Sequence, residues 1–155
     1  MNTLYEKCDS LNSPIECFMD YGSRCSFPIK PHWHYFMEII YIFEGHAEVR
    51  SGSTVISAGR GDMALFHPKA VHSISSDSPD DLRYGVIKLD INCINMTADY
   101  APKFRSIFSF AEQRGMSIYF GNAQTEAIEA SRIFENCIKE MQVRRYGYND
   151  IIRSD

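Results

Sequence analysis

Residues 32–45, His-Trp-His-Tyr-Phe-Met-Glu-Ile-Ile-Tyr-Ile-Phe-Glu-Gly, constrain the fold of this chain more than any other stretch. Side chains on a β-strand alternate between faces, so on a single strand His32, His34, Phe36 and Glu38 share one face while Trp33, Tyr35 and Met37 share the other. The run Ile39-Ile40-Tyr41-Ile42-Phe43 is apolar at both parities and rich in β-branched and aromatic residues, which suits a strand covered on both sides. Polar side chains at its start and apolar ones along its length predict one wall of a closed β-structure with a chemically equipped mouth.

The segments around this strand repeat its period. His46-Ala47-Glu48-Val49-Arg50 alternates, Ser51-Gly52 signals a turn, and residues 53–57 alternate again around Val55, which together read as a hairpin. Gly59-Arg60-Gly61-Asp62 is a second turn, residues 63–66 an apolar strand, Pro68-Lys69-Ala70 a third turn, and residues 71–75 another strand. A last strand is expected over residues 82–91 after the polar loop 76–81. Short strands at intervals of about ten residues, separated by Gly, Pro and Ser turns, predict a mainly β sandwich or barrel. Residues 1–20 lack a clear period and are expected to form an arm, with an edge strand over residues 17–21 as the alternative.

Beyond residue 95 the period changes to that of a helix. Phe104, Ile107, Phe108 and Ala111 fall on one face, with Pro102 in the first turn and Gly115 at the end. After a brief strand over 117–120, Asn122 is expected to cap a longer helix whose stripe comprises Ala127, Ala130, Phe134, Cys137, Ile138 and Met141. Arg144 and Arg145 complement its dipole and Gly147 is its left-handed stop. A further helix begins at Asn149, and the chain ends at Asp155, so a fragment with more chain to follow is expected. The division is residues 1–95 for arm and barrel and 96–155 for a helical region.

Composition excludes several classes. A net charge of −4 disfavours a phosphate-backbone grip by this stretch, and 45% hydrophobic residues argue against disorder. Five Cys without a C-x-x-C pair fit reduced thiols in a cytosol. No apolar run approaches the length of a membrane span, so no membrane partner is expected.

The motif Gly61-Asp62-x4-His67-Pro68-x3-His72 places a third imidazole near the end of a later strand, close enough in a small barrel to join His32, His34 and Glu38. Three imidazoles and a carboxylate suit a divalent metal of the Zn, Fe, Mn, Co or Ni kind. Without a metal, the same groups hydrogen-bond the hydroxyls of a small molecule. Phe36 would stack on a sugar ring or serve as core. Arg24, Tyr84 and Lys88 are further polar contacts for the cavity, or else surface and strand-edge residues. His67 reads as a turn residue and His46 as an exposed hairpin residue.

The spacing His32-x-His34-x3-Glu38-x6-Gly45, followed by Gly61 and His72, resembles the two motifs of the cupin superfamily, which implies a double-stranded β-helix, or jelly-roll, barrel followed here by C-terminal helices. His67 takes the usual proline position, and Lys69 stands where a glycine is common. Residues 33–45, 61–72 and 134–152, with Glu140 and Tyr146-Gly147-Tyr148, resemble the N-terminal half of AraC-type transcription regulators. The resemblance implies a barrel that binds a small effector, often a sugar, and helices that form a homodimer. It also implies DNA binding only through a C-terminal helix-turn-helix module absent from these residues.

The stripe Ala130, Phe134, Cys137, Ile138 and Met141 then has two readings, a helix packed on the barrel or one that also meets its twin, and the resemblance favours the second, which makes these residues the expected dimer interface. A sensor rather than an enzyme is expected, located in the cytoplasm. The alternative is a metal-dependent cupin enzyme of the sugar isomerase or dioxygenase type, for which the candidate acid or base groups are weak ones such as Tyr84 or His67. A dimerisation scaffold with an empty pocket is the third reading.

Overall fold

Two antiparallel sheets face each other and helices cover the outside of one of them. The computed structural model describes residues 4–92, 106, 110, 113 and 118–155. Strands β1 (Ile15–Tyr21), β8 (Arg83–Leu89), β3 (Met37–Glu44), β6 (Met63–Phe66) and β9 (Tyr119–Phe120) form one sheet in that order. The second sheet has the order β2 (Ile29–His32), β7 (His72–Ser75), β4 (His46–Ser51), β5 (Thr54–Gly59). A 3-10 turn, Pro79–Asp81, precedes β8, and helices α1 (Asn122–Ala127), α2 (Ala130–Val143) and α3 (Tyr148–Ser154) follow. The expected double-stranded β-helix with C-terminal helices is therefore observed.

The two parities of β3 account for its unbroken apolar run. Ile40 and Ile42 point between the sheets with Val49, Phe66, Ile74, Tyr84 and Val86. Tyr41 and Phe43 point outward, with Ile15, Cys17 and Ile87, onto Phe134, Cys137, Ile138 and Met141 of α2 and Ile152 of α3. Close approach of α2 depends on Gly85, where a Cβ would lie 2.7 Å from the Phe134 ring. Turns are as firmly set: Gly45 and Gly61 have φ of 78° and 89°, a left-handed backbone that favours glycine. Lys69, standing where a glycine is common, takes the same region at φ 71°.

Several expectations are corrected. Residues 32–43 are not one strand: β2 ends at His32, β3 starts at Met37, and the two lie in different sheets. The chain turns the corner at residues 33–36 because backbone groups there bond elsewhere. Trp33 donates to Leu4 O at 2.8 Å and accepts from Glu6 N at 2.9 Å, and His34 O accepts from Lys69 N at 2.7 Å. The arm is shorter than expected, since β1 begins at Ile15 and pairs along its whole length with β8. The last strand is Arg83–Leu89 rather than 82–91.

The long C-terminal helix is two helices, broken at Glu129, which has a left-handed backbone (φ 53°). The Thr125 hydroxyl donates to Gly61 O at 2.6 Å and ties α1 to a barrel turn, so α2 must leave in a new direction to lie along the sheet. Ala127 is exposed rather than in the stripe. Gly121, not Asn122, caps α1, its N–H bonding Gln124 Oε1 at 3.0 Å. Arg144 is the left-handed C-cap of α2, and Gly147, not Asn149, is the N-cap of α3. The expected helix over 102–115 has its named positions outside the described residues. Among the described residues, no helix is long and apolar enough to cross a membrane.

Candidate functional site

Register builds the site before any side chain is considered. In the four-stranded sheet His32 is the partner of His72, and in the five-stranded sheet Glu38 is the partner of Lys88. The corner at residues 33–36 joins the two sheets and carries His34 between these pairs. His34 and His72 are each 1% exposed, Glu38 3% and Lys88 7%, so the cluster is withdrawn from water.

Each imidazole is oriented by the same device. Nδ1 of His32 faces Lys30 O at 2.9 Å, that of His34 faces Phe36 O at 3.1 Å, and that of His72 faces Ala70 O at 2.8 Å. A carbonyl only accepts, so every Nδ1 carries a hydrogen and every Nε2 is aimed inward. Nε2 of His34 lies 2.8 Å from Glu38 Oε2. Nε2 of His72 lies 3.5 Å from the same oxygen, within reach of its charge but without an aligned hydrogen bond, and among the described residues it has no other hydrogen-bond partner. The His72 ring is held flat against Phe66, centroids 4.2 Å apart.

The sixth member of the cluster comes from the arm. Tyr5 bridges to Trp33 and packs on its ring at 4.8 Å, which carries the next residue, Glu6, over the barrel mouth. Oε2 of Glu6 lies 3.0 Å from Lys88 Nζ, 3.3 Å from His32 Nε2 and 4.0 Å from His34 Nε2. Lys88 Nζ is also 3.5 Å from Glu38 Oε2, so one ammonium lies between two carboxylates.

The electrostatics follow from these contacts. The hydrogen bond from His32, opposed by burial and reinforced by Lys88, holds Glu6 down to about 2. Burial pushes Glu38 up, but hydrogen bonding from His34, the neighbouring His72 and the charge of Lys88 outweigh it, so it stays below the usual carboxylate range. Burial would lower Lys88, yet Glu38 and Glu6 raise it, and His32 is raised in the same way by Glu6 and Lys30 O. At neutral pH the two carboxylates are thus held ionised and the Lys88 ammonium held protonated.

Beneath the mouth lies a cavity of about 180 Å³. Its polar wall is Glu6, Asp20, His32, Glu38, Tyr84 and Lys88, and its apolar wall is Phe18, Ile29, Ile74 and Val86. Glu6, Ile29 and His32 also line a wider depression of about 610 Å³ between the arm and β2, so the two spaces adjoin at these residues. On the deeper side the Tyr84 hydroxyl donates to Asp20 Oδ2 at 3.0 Å. Burial, together with the Asp20 carboxylate, pushes the Tyr84 phenol well above its usual range.

Of the residues singled out in the sequence, His32, His34, Glu38 and His72 lie together, and Tyr84 and Lys88 line the adjoining cavity with His32 and Glu38. Two predicted positions fall elsewhere. Arg24 lies outside the cavity, its side chain 53% exposed and paired with Asp20 at 3.1 Å, because it follows β1 in a surface turn. Phe36 is fully buried with its ring 6.4 Å from that of His34, so it packs the corner instead of facing a ligand. Sequence reasoning missed Glu6 and Asp20. The alternation Cys17, Phe18, Met19, Asp20 carries a signal for Asp20, an acid at an inward position of a strand; Glu6 carries none, since only the fold brings the arm to the mouth.

The donor set fits a divalent metal. Ligand atoms of His32, His34, Glu38 and His72 lie within 4.8 Å of one another, the Nε2 atoms converge, and that of His72 is orphaned. Each Nδ1 bond to a carbonyl is the support that metal-ligating imidazoles need. The stripe Ala130, Phe134, Cys137, Ile138 and Met141, by contrast, is buried on the barrel within this one chain. Cys8, Cys17, Cys25 and Cys137 are free thiols.

The chain has low-identity similarity to several known proteins. Solved structures similar to the chain include an RmlC-like cupin from Shewanella frigidimarina (15% identity, TM-score 0.42, covering 57% of this chain and 72% of that one). The EutQ protein of Clostridium difficile is similar at 18% identity and TM-score 0.39, with 53% of this chain and 62% of that one covered. An S161A mutant of Bacillus subtilis oxalate decarboxylase OxdC matches at 22% identity and TM-score 0.37, over 60% of this chain and only 30% of that one. No curated protein sequence matches. The model of the AraC-like ligand binding domain matches residues 17–149, nearly the whole span from β1 through the start of α3, and the chain belongs to that family.

Proposed function

We propose that this chain is the effector-binding and dimerisation part of a cytoplasmic transcription regulator of the AraC type, with the effector seated in the cavity beneath Glu6. The observation that carries the reading is the shared mouth: an arm residue bonds the same Lys88 and His32 that a ligand would meet. A ligand shifts an equilibrium only through different affinity for its two states, and a site contested by the arm supplies that difference. Polar donors and acceptors on one wall suit a small effector that carries polar groups, sugars and small acids being the classes to test. DNA binding belongs to a module outside these residues.

The homodimer through the C-terminal helices is part of the proposal. Since the stripe of α2 is taken up by the barrel, the surface offered for pairing is that of the exposed Val143, Tyr146 and Ile151. A concentration series by light scattering tests it, with loss of the dimer on Tyr146→Asp as the expected outcome.

A second reading, a metal-dependent enzyme, is favoured by the inward Nε2 atoms. His32, His34, Glu38 and His72 would hold the ion, which supplies a Lewis-acidic charge when bound. The regulator reading is preferred because the acid and base groups around the cluster are tied up by one another, Glu6 with Lys88 and His32, and Tyr84 with Asp20. A thermal-shift screen of sugars, small acids and divalent ions on wild type and His32→Gln tests the site that both readings share, since a ligand of the folded state raises stability by mass action, and turnover of a bound compound would separate the enzyme from the regulator. Shifts that the variant loses support the site; shifts that it keeps, or none at all, reject it.

A further inference from the structure

We infer that the effector of this cavity is a small monocarboxylate with a largely apolar body, whose acid group takes the place of the Glu6 carboxylate. The inference rests on the effector-binding reading and narrows it away from neutral sugars.

Glu6 shows what the mouth accepts. Its carboxylate reaches Lys88 at 3.0 Å and His32 at 3.3 Å, and the arm that carries it is attached at the corner by the backbone pairing with Trp33. An ammonium offers three donors and no acceptor, so Lys88 needs oxygen partners. Glu38, at 3.5 Å, is one and Glu6 is the other. A ligand that enters and moves Glu6 aside removes one of the two. An incoming carboxylate restores it with the same charge, whereas a neutral ligand leaves a 7% exposed ammonium with one anion.

The remainder of the cavity argues against a hydroxyl-covered body. Phe18, Ile29, Ile74 and Val86 line it, and none offers a side-chain hydrogen bond to a sugar ring. At about 180 Å³ with Glu6 in place, the space is below the 300 Å³ or so at which ordinary ligand pockets begin. The room gained by moving Glu6 lies at the mouth, beside Lys88, where the acid group would sit. One hydroxyl at the far end would meet Asp20 and Tyr84.

Isothermal titration of the chain with matched pairs tests this: benzoate against benzamide, and butyrate against butyramide, with arabinose and glucose alongside. The acids are expected to bind and the amides and sugars not. Glu6→Ala, which removes the competing carboxylate, is expected to tighten the acids about tenfold if the arm is seated nine-tenths of the time. His32→Gln, which leaves Lys88 and Glu38 paired and so preserves the fold, is expected to weaken them. Binding of a sugar without the acids overturns the carboxylate assignment and leaves the effector site standing. Acids that bind the wild type and Glu6→Ala equally overturn the competition, and failure of every compound on both proteins overturns the site with it.

Discussion

The two faces of the five-stranded sheet are built by the same strands and do opposite things. On its outer face Ile15, Cys17, Tyr41, Phe43 and Ile87 meet α2 and α3 in a dry core. On its inner face the other parity of those strands gives Asp20, Glu38, Tyr84 and Lys88, buried polar groups that hold one another. Shape alone stabilises the outer face. The inner face depends on charge and hydrogen-bond partners, and its last partner arrives from the arm. A barrel that needed only stability would carry apolar residues at these inward positions, since a buried ion pair seldom exceeds a well-packed apolar one in stability.

The comparison is tested first where the effect is largest. Phe134→Ala empties the centre of the outer core and is expected to cost about 3–5 kcal/mol, measured by urea unfolding, while the inner cluster keeps its ligand response. Lys88→Met leaves Glu38 buried without its ammonium and is expected to cost about 3 kcal/mol. Adding Glu38→Gln should restore most of that loss; a double variant no better than the single would deny that the inner face is held by charge.

Smaller effects concern the arm. Glu6 is lowered from 4.5 to about 2, so its stabilising contact is full above pH 4.5 and lost as pH falls towards 2. His32 is raised from 6.5, so its share is full below pH 6.5 and lost as pH rises through the higher value. Arm attachment, read as protection of residues 4–8 from proteolysis, is therefore expected to be strongest between about pH 4.5 and 6.5. The Glu6 side chain is 44% exposed, so the change is expected to stay under about 1 kcal/mol. Last, Lys69→Gly should raise stability by about 0.5–1 kcal/mol by relieving its left-handed backbone, measured in the same urea experiment.

Much of this was legible in the sequence because local chemistry wrote it there. Turn residues between short strands announce a barrel, and the glycines at 45 and 61 stand where the backbone is left-handed. The spacing of His32, His34 and Glu38 marks the cluster, although the parity argument for it fails: His34 lies on a corner between sheets, and convergence comes from two separate pairings. What the sequence could not show is non-local. Glu6 has no pattern to announce it, because only the closed barrel brings the arm to Lys88. The stripe of α2 reads alike whether it meets the barrel or a twin, and only Gly85 across from Phe134 reveals which surface receives it.

On the proposed reading, ligand enters the cavity beside His32, whose ring packs against those of His34 and His72. The five histidines of this chain allow a direct test by side-chain nitrogen NMR, in which the compound giving the largest thermal shift is titrated into the protein. Signals of His32, His34 and His72 should move together while those of His46 and His67, on the hairpin and the turn, stay in place. Movement confined to His46 or His67, with the three clustered imidazoles unchanged at saturation, would contradict the account.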